Sequence, residues 1–351
     1  MENNETALQE QVVQPEPAPA PSRNEVKKHK HFISLPLFKQ SLKANWLMWL
    51  VMSLGCAAIF VIINLAIGTK QIFTNINMSE VSGYVEEESL SWLQILGLLE
   101  KMGFSLNRIQ VMSQIDMDAI MNDLIYKIAG VMLPMIYVMV VSNNLVAAQV
   151  NDGSMAYVLS TPTNRKTVVM TQFIFLFVSV TAMYVIVTGL ALGSEAIANA
   201  IKLANNPEAT NVRVPLRSFL YCMGSYTSIL ALGGICFGAS CYFNKSSNAT
   251  VVGGGVCVVS FLACILGLFG NKVFVAVGVG VEAMRVFDYF SMFTLVDTDS
   301  MSNFAKAVNE NDFVNYTGIY NWIWKYGIMV AIFLIFSFAG GKYFTKKDLP
   351  L

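Results

Sequence analysis

Two histidines, six cysteines, a run of three glutamates and one glycine-glycine-lysine step are the groups in this chain whose types could bind a metal, cross-link or cradle a phosphate. Their spacing supports none of these. His29 and His31 stand in a polar segment with no Cys, Asp or Glu cluster at ligand spacing, so no metal site is expected. Cys56, Cys222, Cys236, Cys241, Cys257 and Cys264 each fall inside or at the edge of an apolar run, where a thiol packs as a small hydrophobe, and no disulfide is expected. Glu86, Glu87 and Glu88 read as a solvated face. A Walker loop needs G-x-x-x-x-G-K-(S/T), so that backbone amides and the lysine hold the nucleotide; Gly340-Gly341-Lys342 matches only its tail. With neither H-E-x-x-H nor a nucleophile elbow, no catalytic residue is assigned, and the chain is not expected to be an enzyme.

The elements that would have to position such groups are themselves almost entirely apolar. Hydrophobic residues make up 55% of the chain and charged residues 13%, with a mean hydropathy of +0.54. Only a bilayer can act as solvent for that surface. Basic and acidic residues balance at 23 each, which leaves no electrostatic footprint for nucleic acid. A crossing helix needs about 20 apolar residues, and six segments meet that length without an Asp, Glu, Lys or Arg: about 46–67, 128–150, 168–190, 219–242, 250–269 and 322–339. The fold class expected is therefore all-α, a polytopic membrane protein whose six-helix transmembrane domain occupies 32–351 behind a disordered cytoplasmic tail, 1–31. Phe38, Lys39, Leu42 and Lys43 give the stretch before the first span the composition of an amphipathic interfacial helix. Pro134 is expected to kink the second span, and the apolar run Val273–Met284, too short to cross, to re-enter or lie at the interface.

Basic residues cluster tightly against the first, third and sixth spans on the side of the termini, which places both termini in the cytoplasm and the chain in the cell membrane as a multi-pass protein. The spans hold no midplane charge, which disfavours an ion-coupled secondary transporter. Lys127, Glu195, Arg217 and Lys325 are expected at the outer ends, snorkelling to water. Gly189 and Gly193 near the end of the third span, and Gly234 and Gly238 in the fourth, have the small-xxx-small spacing of close helix packing.

The most distinctive polar stretch joins the second and third spans: Asp152-Gly153-Ser154 opens it, Ser160-Thr161-Pro162 closes it, and a short helix is expected between, carrying Met155, Tyr157, Val158 and Leu159. Here the sequence resembles the permease subunits of type-2 ABC exporters, whose loop after the second span has the form E-x-x-x-G-(S/T)-(M/L)-x-x-L-L-S-x-P-(V/I/T)-(S/T)-R; Gly153, Ser154, Met155, Leu159, Ser160, Pro162 and Arg165 match, and Gln149 stands where many members have Glu. Leu37–Asn45 resembles the interfacial helix that opens such permeases, Phe290–Asp297 their outer loop before the last span, and Phe344–Leu351 their terminus.

The resemblance implies that Asp152, Gly153, Ser154, Met155, Tyr157, Leu159, Ser160, Pro162 and Arg165 form a coupling loop docking on a separate ATP-binding subunit, with the interfacial helix as a second contact. ATP and magnesium would then be held by that partner and no cofactor by this chain, which would pair with itself or a similar permease and move a lipophilic compound, peptide or lipid outward. A non-transporting membrane protein, such as an immunity or sensor-accessory subunit binding an extracellular peptide through the long connection 68–127, is the alternative from another class.

Overall fold

A computed structural model describes residues 33–69, 124–160, 163–205, 214–270, 281–309 and 318–347. The expected tail at 1–31, most of the connection 68–127, Pro162 and residues 348–351 lie outside these. The described residues are helical with no strand, and six helices are long and apolar enough to cross a membrane.

The first is α1, Leu35–Thr69, a single helix of 35 residues. It joins the expected interfacial segment to the first span without interruption, with Leu37, Ser41 and Asn45 buried along one face while Lys39, Leu42 and Lys43 are exposed. The second crossing is composite: a π-helical stretch Leu124–Ala129 leads into α2, Gly130–Leu145, and then α3, Ala147–Asn151. After α4, Ser154–Ser160, the chain rises again through α5, Arg165–Asn205. Proline at the first position, where its missing N–H costs nothing, starts α6, Pro215–Tyr242. Next come α7, Ser246–Phe269, two 3-10 helices, Glu282–Phe290 and Phe293–Leu295, then α8, Thr298–Asn309, and α9, Ile319–Lys346.

Helix α5 overruns the expected end of the third span at Leu190 by continuing to Asn205. At 1.5 Å per residue its 41 residues extend about 60 Å, roughly twice a hydrocarbon core. Apolar runs report where lipid must be, whereas the helix continues wherever protein contacts support it.

Pro134 lies buried inside α2, which continues through it, and the second span is interrupted further on, at Val146. Proline leaves the carbonyl four residues earlier, that of Gly130, without its helical donor. The Tyr184 hydroxyl of α5 donates to it at 3.2 Å. At the actual break the Ala147 N–H donates to Ser240 Oγ of α6 at 2.9 Å. Neighbouring helices thus satisfy the backbone groups that the two irregularities release.

Hydrogen bonds fix how the helices run. Ser41 Oγ donates to Gln172 Oε1 (2.8 Å), Trp49 Nε1 to the Ser179 carbonyl (2.8 Å) and Asn64 Nδ2 to the Ala191 carbonyl (3.2 Å), so α1 and α5 rise in parallel. Ser225 Oγ meets the Tyr126 carbonyl and Ser240 the start of α3, so the second and fourth crossings are also parallel. Alternate crossings running the same way is what a chain threading a bilayer six times requires. Helix α6 is the central one, 83% of its most apolar window being buried against 22% for α1 and for α9. All six cysteines are buried, and Cys236 Sγ of α6 lies 3.4 Å from Cys257 Sγ of α7. On the outside of the bundle Leu47, Val51, Leu54, Val185, Val259 and Ile335 are exposed, an apolar coat suited to acyl chains.

Candidate functional site

The loop between α3 and α5 is built by local hydrogen bonding. Helix α3 stops at Asp152, whose N–H still reaches the Ala148 carbonyl at 2.9 Å. Gly153 then takes φ +72°, the left-handed turn that an L side chain resists. That reversal brings Ser154 Oγ back to donate to the Gln149 carbonyl at 3.2 Å, closing the end of the preceding helix. Asp152 Oδ1 accepts from Asn151 Nδ2 at 3.2 Å.

From the turn, α4 projects as a two-sided helix. Met155 is fully buried in the core of the bundle, with Val158 and Leu159 packed against that core. On the other side Tyr157 is 80% exposed, and Ser160 is exposed with its hydroxyl donating to the Tyr157 carbonyl at 2.8 Å. Thr163 Oγ1 donates to the Val158 carbonyl at 3.0 Å and draws the chain back toward α5. Arg165 reaches across the structure, Nη1 to the Lys347 carbonyl at 2.8 Å. The Lys347 ammonium in turn donates to the Tyr242 carbonyl and lies over the Tyr343 ring. Burial lowers the pKa of Lys347, an effect that Cys241 opposes. The loop is therefore tied to the ends of α6 and α9, contacts 182 and 105 residues away in sequence that no local pattern signals.

Of the expected loop residues, Asp152, Gly153, Ser154, Met155, Tyr157, Leu159, Ser160 and Arg165 follow one another from the end of α3 through α4 to the start of α5, and Pro162 lies outside the described residues. Phe38, Lys39, Leu42 and Lys43 occupy the first turns of α1 on the same face of the bundle: the Ser34 N–H meets Thr171 Oγ1 at 3.0 Å, near the start of α5, and Phe38 packs edge-on against Phe175 with ring centres 5.5 Å apart.

No family model, no curated protein and no solved structure matches this chain.

The expected glycines divide into two kinds. A Cβ at Gly234 would come within 2.6 Å of the Phe333 backbone, and one at Gly238 within 2.8 Å of the Phe336 carbonyl, so α6 and α9 meet backbone to backbone. Positions Gly189 and Gly193 face open space, with nothing within 4 Å of where a Cβ would stand. The charges expected to snorkel also divide. Glu195 is 1% and Arg217 8% exposed, buried among protein rather than reaching out. Glu195 lies in the overrun of α5 past Leu190, and a count of spans does not reveal that overrun.

Lys325 is paired, its Nζ 2.6 Å from Asp297 Oδ2. The other oxygen of Asp297 accepts from the Ser300 N–H at 3.0 Å, capping α8. Burial pushes the Asp297 carboxyl upward, but the Lys325 and Ser300 hydrogen bonds outweigh it and its pKa ends below the usual value. The Asp297-Thr298-Asp299-Ser300 spacing is a legible cap signal, and the ion pair is not.

Proposed function

We propose that this chain is the membrane-embedded permease subunit of an ATP-driven exporter, working as a pair and coupled to a separate ATP-binding subunit. The observation that supports this most is the two-sided α4: Met155 anchors it in the bundle while Tyr157, 80% exposed, stands free on the opposite side. An exposed tyrosine on a short helix fixed to the transmembrane core is suited to docking, since aromatic side chains supply large contact area at low entropic cost. Motion of such a helix is passed directly to α3 and α5, and through Arg165 to the end of α9. Nucleotide-driven closure of a partner pair would thereby favour one arrangement of the spans over another through differential contacts.

The face bearing α4 also carries Lys39, Lys43, Arg165, Lys166, Lys245 and Lys342 close to the ends of the spans, which supports a cytoplasmic setting for it. The cargo fitting an apolar bundle is a lipophilic compound, peptide or lipid, moved outward.

The test is to tag the full chain, extract it gently from its native membrane and identify what accompanies it by mass spectrometry. A stoichiometric ATP-binding protein is expected, and Tyr157→Glu should release it without changing the amount or melting temperature of the membrane-inserted chain. Recovery of the chain alone, or an unaltered complex in the Tyr157→Glu variant, would overturn the coupling reading and favour a non-transporting binding or immunity protein.

A further inference from the structure

The face of the bundle remote from α4 holds an open cleft of about 920 Å³ between α7, the two 3-10 helices and α9. Two glycines create its wall. A Cβ at Gly267 would overlap the Asp288 carboxylate and one at Gly270 the Arg285 backbone, so the 3-10 helix Glu282–Phe290 can lie against the last turns of α7 only because both side chains are absent. The chain stays close to α7 beyond it, the Met292 N–H donating to Ser260 Oγ at 2.9 Å. This segment overlaps the end of the expected re-entrant stretch Val273–Met284, of which residues 273–280 lie outside the described part.

A 3-10 helix has three residues per turn, so Arg285 and Asp288 share one face, and both line the cleft with Lys127. Both cations act electrostatically on Asp288, yet burial dominates and leaves its pKa above the usual value. Across the cleft stand Asp297 and Lys325, already paired at 2.6 Å. Deeper in, Cys264, Leu268, Val296 and Ile332 supply an apolar floor. At the rim Tyr289 is 87% and Phe290 69% exposed, aromatic residues beside the end of a crossing helix, the level at which they meet lipid headgroups.

We infer that this cleft holds one zwitterionic phospholipid of the leaflet remote from α4, its phosphate against Arg285 and Lys127, its ammonium against Asp288, and an acyl chain along the apolar floor. A purely anionic amphiphile would satisfy the cations but meet Asp288 with like charge. A dissolved headgroup alone would leave the floor unfilled. Retention of lipid in this way requires a bilayer-embedded bundle but no transport, so its failure leaves the permease reading standing.

The experiment places the full chain in vesicles of equal parts phosphatidylethanolamine and phosphatidylglycerol, re-extracts it and counts bound lipid by native mass spectrometry. The wild type should keep one phosphatidylethanolamine per chain in preference to phosphatidylglycerol. Asp288→Asn should reverse that preference, Asp288→Glu should preserve it, and Arg285→Gln should lower retention of both lipids about tenfold, the loss of one charge-assisted contact. Lys346→Gln, on the opposite face at the end of α9, should leave retention of both lipids unchanged, and unchanged melting temperatures would show that the cleft variants fold. Equal retention of the two lipids by the wild type, or an ethanolamine preference that survives Asp288→Asn, would overturn the assignment. Displacement of the lipid by free phosphoethanolamine at equal concentration would do the same, because the acyl chain would then contribute nothing.

Discussion

The α1–α5 pair and the α6–α9 pair are both parallel and both span the bundle, yet they are joined by different physics. Between α6 and α9 the backbones themselves touch, at Gly234 against Phe333, at Gly238 against Phe336, and at Gly340 against Gly238. Between α1 and α5 the union is made by side chains, with Ser41 on Gln172, Trp49 on the Ser179 carbonyl and Asn64 on the Ala191 carbonyl and Ser194 hydroxyl. In lipid no hydrophobic force draws helices together, so dispersion at close range and interhelical hydrogen bonds are the available means. A backbone seam has one geometry. A ladder of separate polar contacts can lose one rung and keep the rest.

The largest effect should come from forcing the seam apart. Gly234→Leu places a side chain where Phe333 backbone already stands, and overpacking of that kind costs about 3 kcal/mol. A thermal melt of the purified chain in detergent should fall by many degrees, and a melt within error of wild type would mean that α6 and α9 do not meet as described.

Lowering pH tests the far end of the same helix. Asp297 has its pKa depressed in the fold, so the Asp297–Lys325 contact contributes fully above the ordinary aspartate value of about 3.9 and is lost as pH falls through the lower folded value. Protection of the α8 amides from hydrogen exchange, taken relative to the intrinsic rate at each pH, should be constant down to about pH 4 and fall below it, and Asp297→Asn should lower protection at neutral pH and remove the transition. An unchanged acid transition in that variant would place its origin elsewhere.

One rung of the polar ladder should matter less. Asn64→Ala removes two hydrogen bonds to α5, each worth about 0.6 kcal/mol inside a membrane bundle, and the melting temperature should drop only slightly. A loss as large as that of Gly234→Leu would erase the distinction between the two unions.

The smallest effect is expected at the second glycine pair. Gly189→Leu and Gly193→Leu enter open space and should leave the melt of the chain unchanged, while reducing self-association measured by cross-linking if copies pair through this face of α5. A destabilised chain would show that another part of the same chain covers the face.

Much of this was legible in residue order. Six apolar runs located six crossing helices because hydrocarbon thickness sets their minimum length, and Asp152-Gly153-Ser154 announced a turn because only glycine accepts its backbone angle at little cost. The sequence also marked Gly189, Gly193, Gly234 and Gly238 as equivalent, having the same residue at the same spacing. Only the tertiary structure separated them, since whether a glycine packs depends on which helix lies opposite. The same holds for Glu195 and Arg217, which read as snorkelling ends and are buried, for the helix break at Val146, and for Arg165 meeting the end of α9. Local chemistry and the solvent's dimensions act on a chain residue by residue, and a sequence records them directly. Partnership between segments more than a hundred residues apart is a property of the packed bundle, and it was decided there.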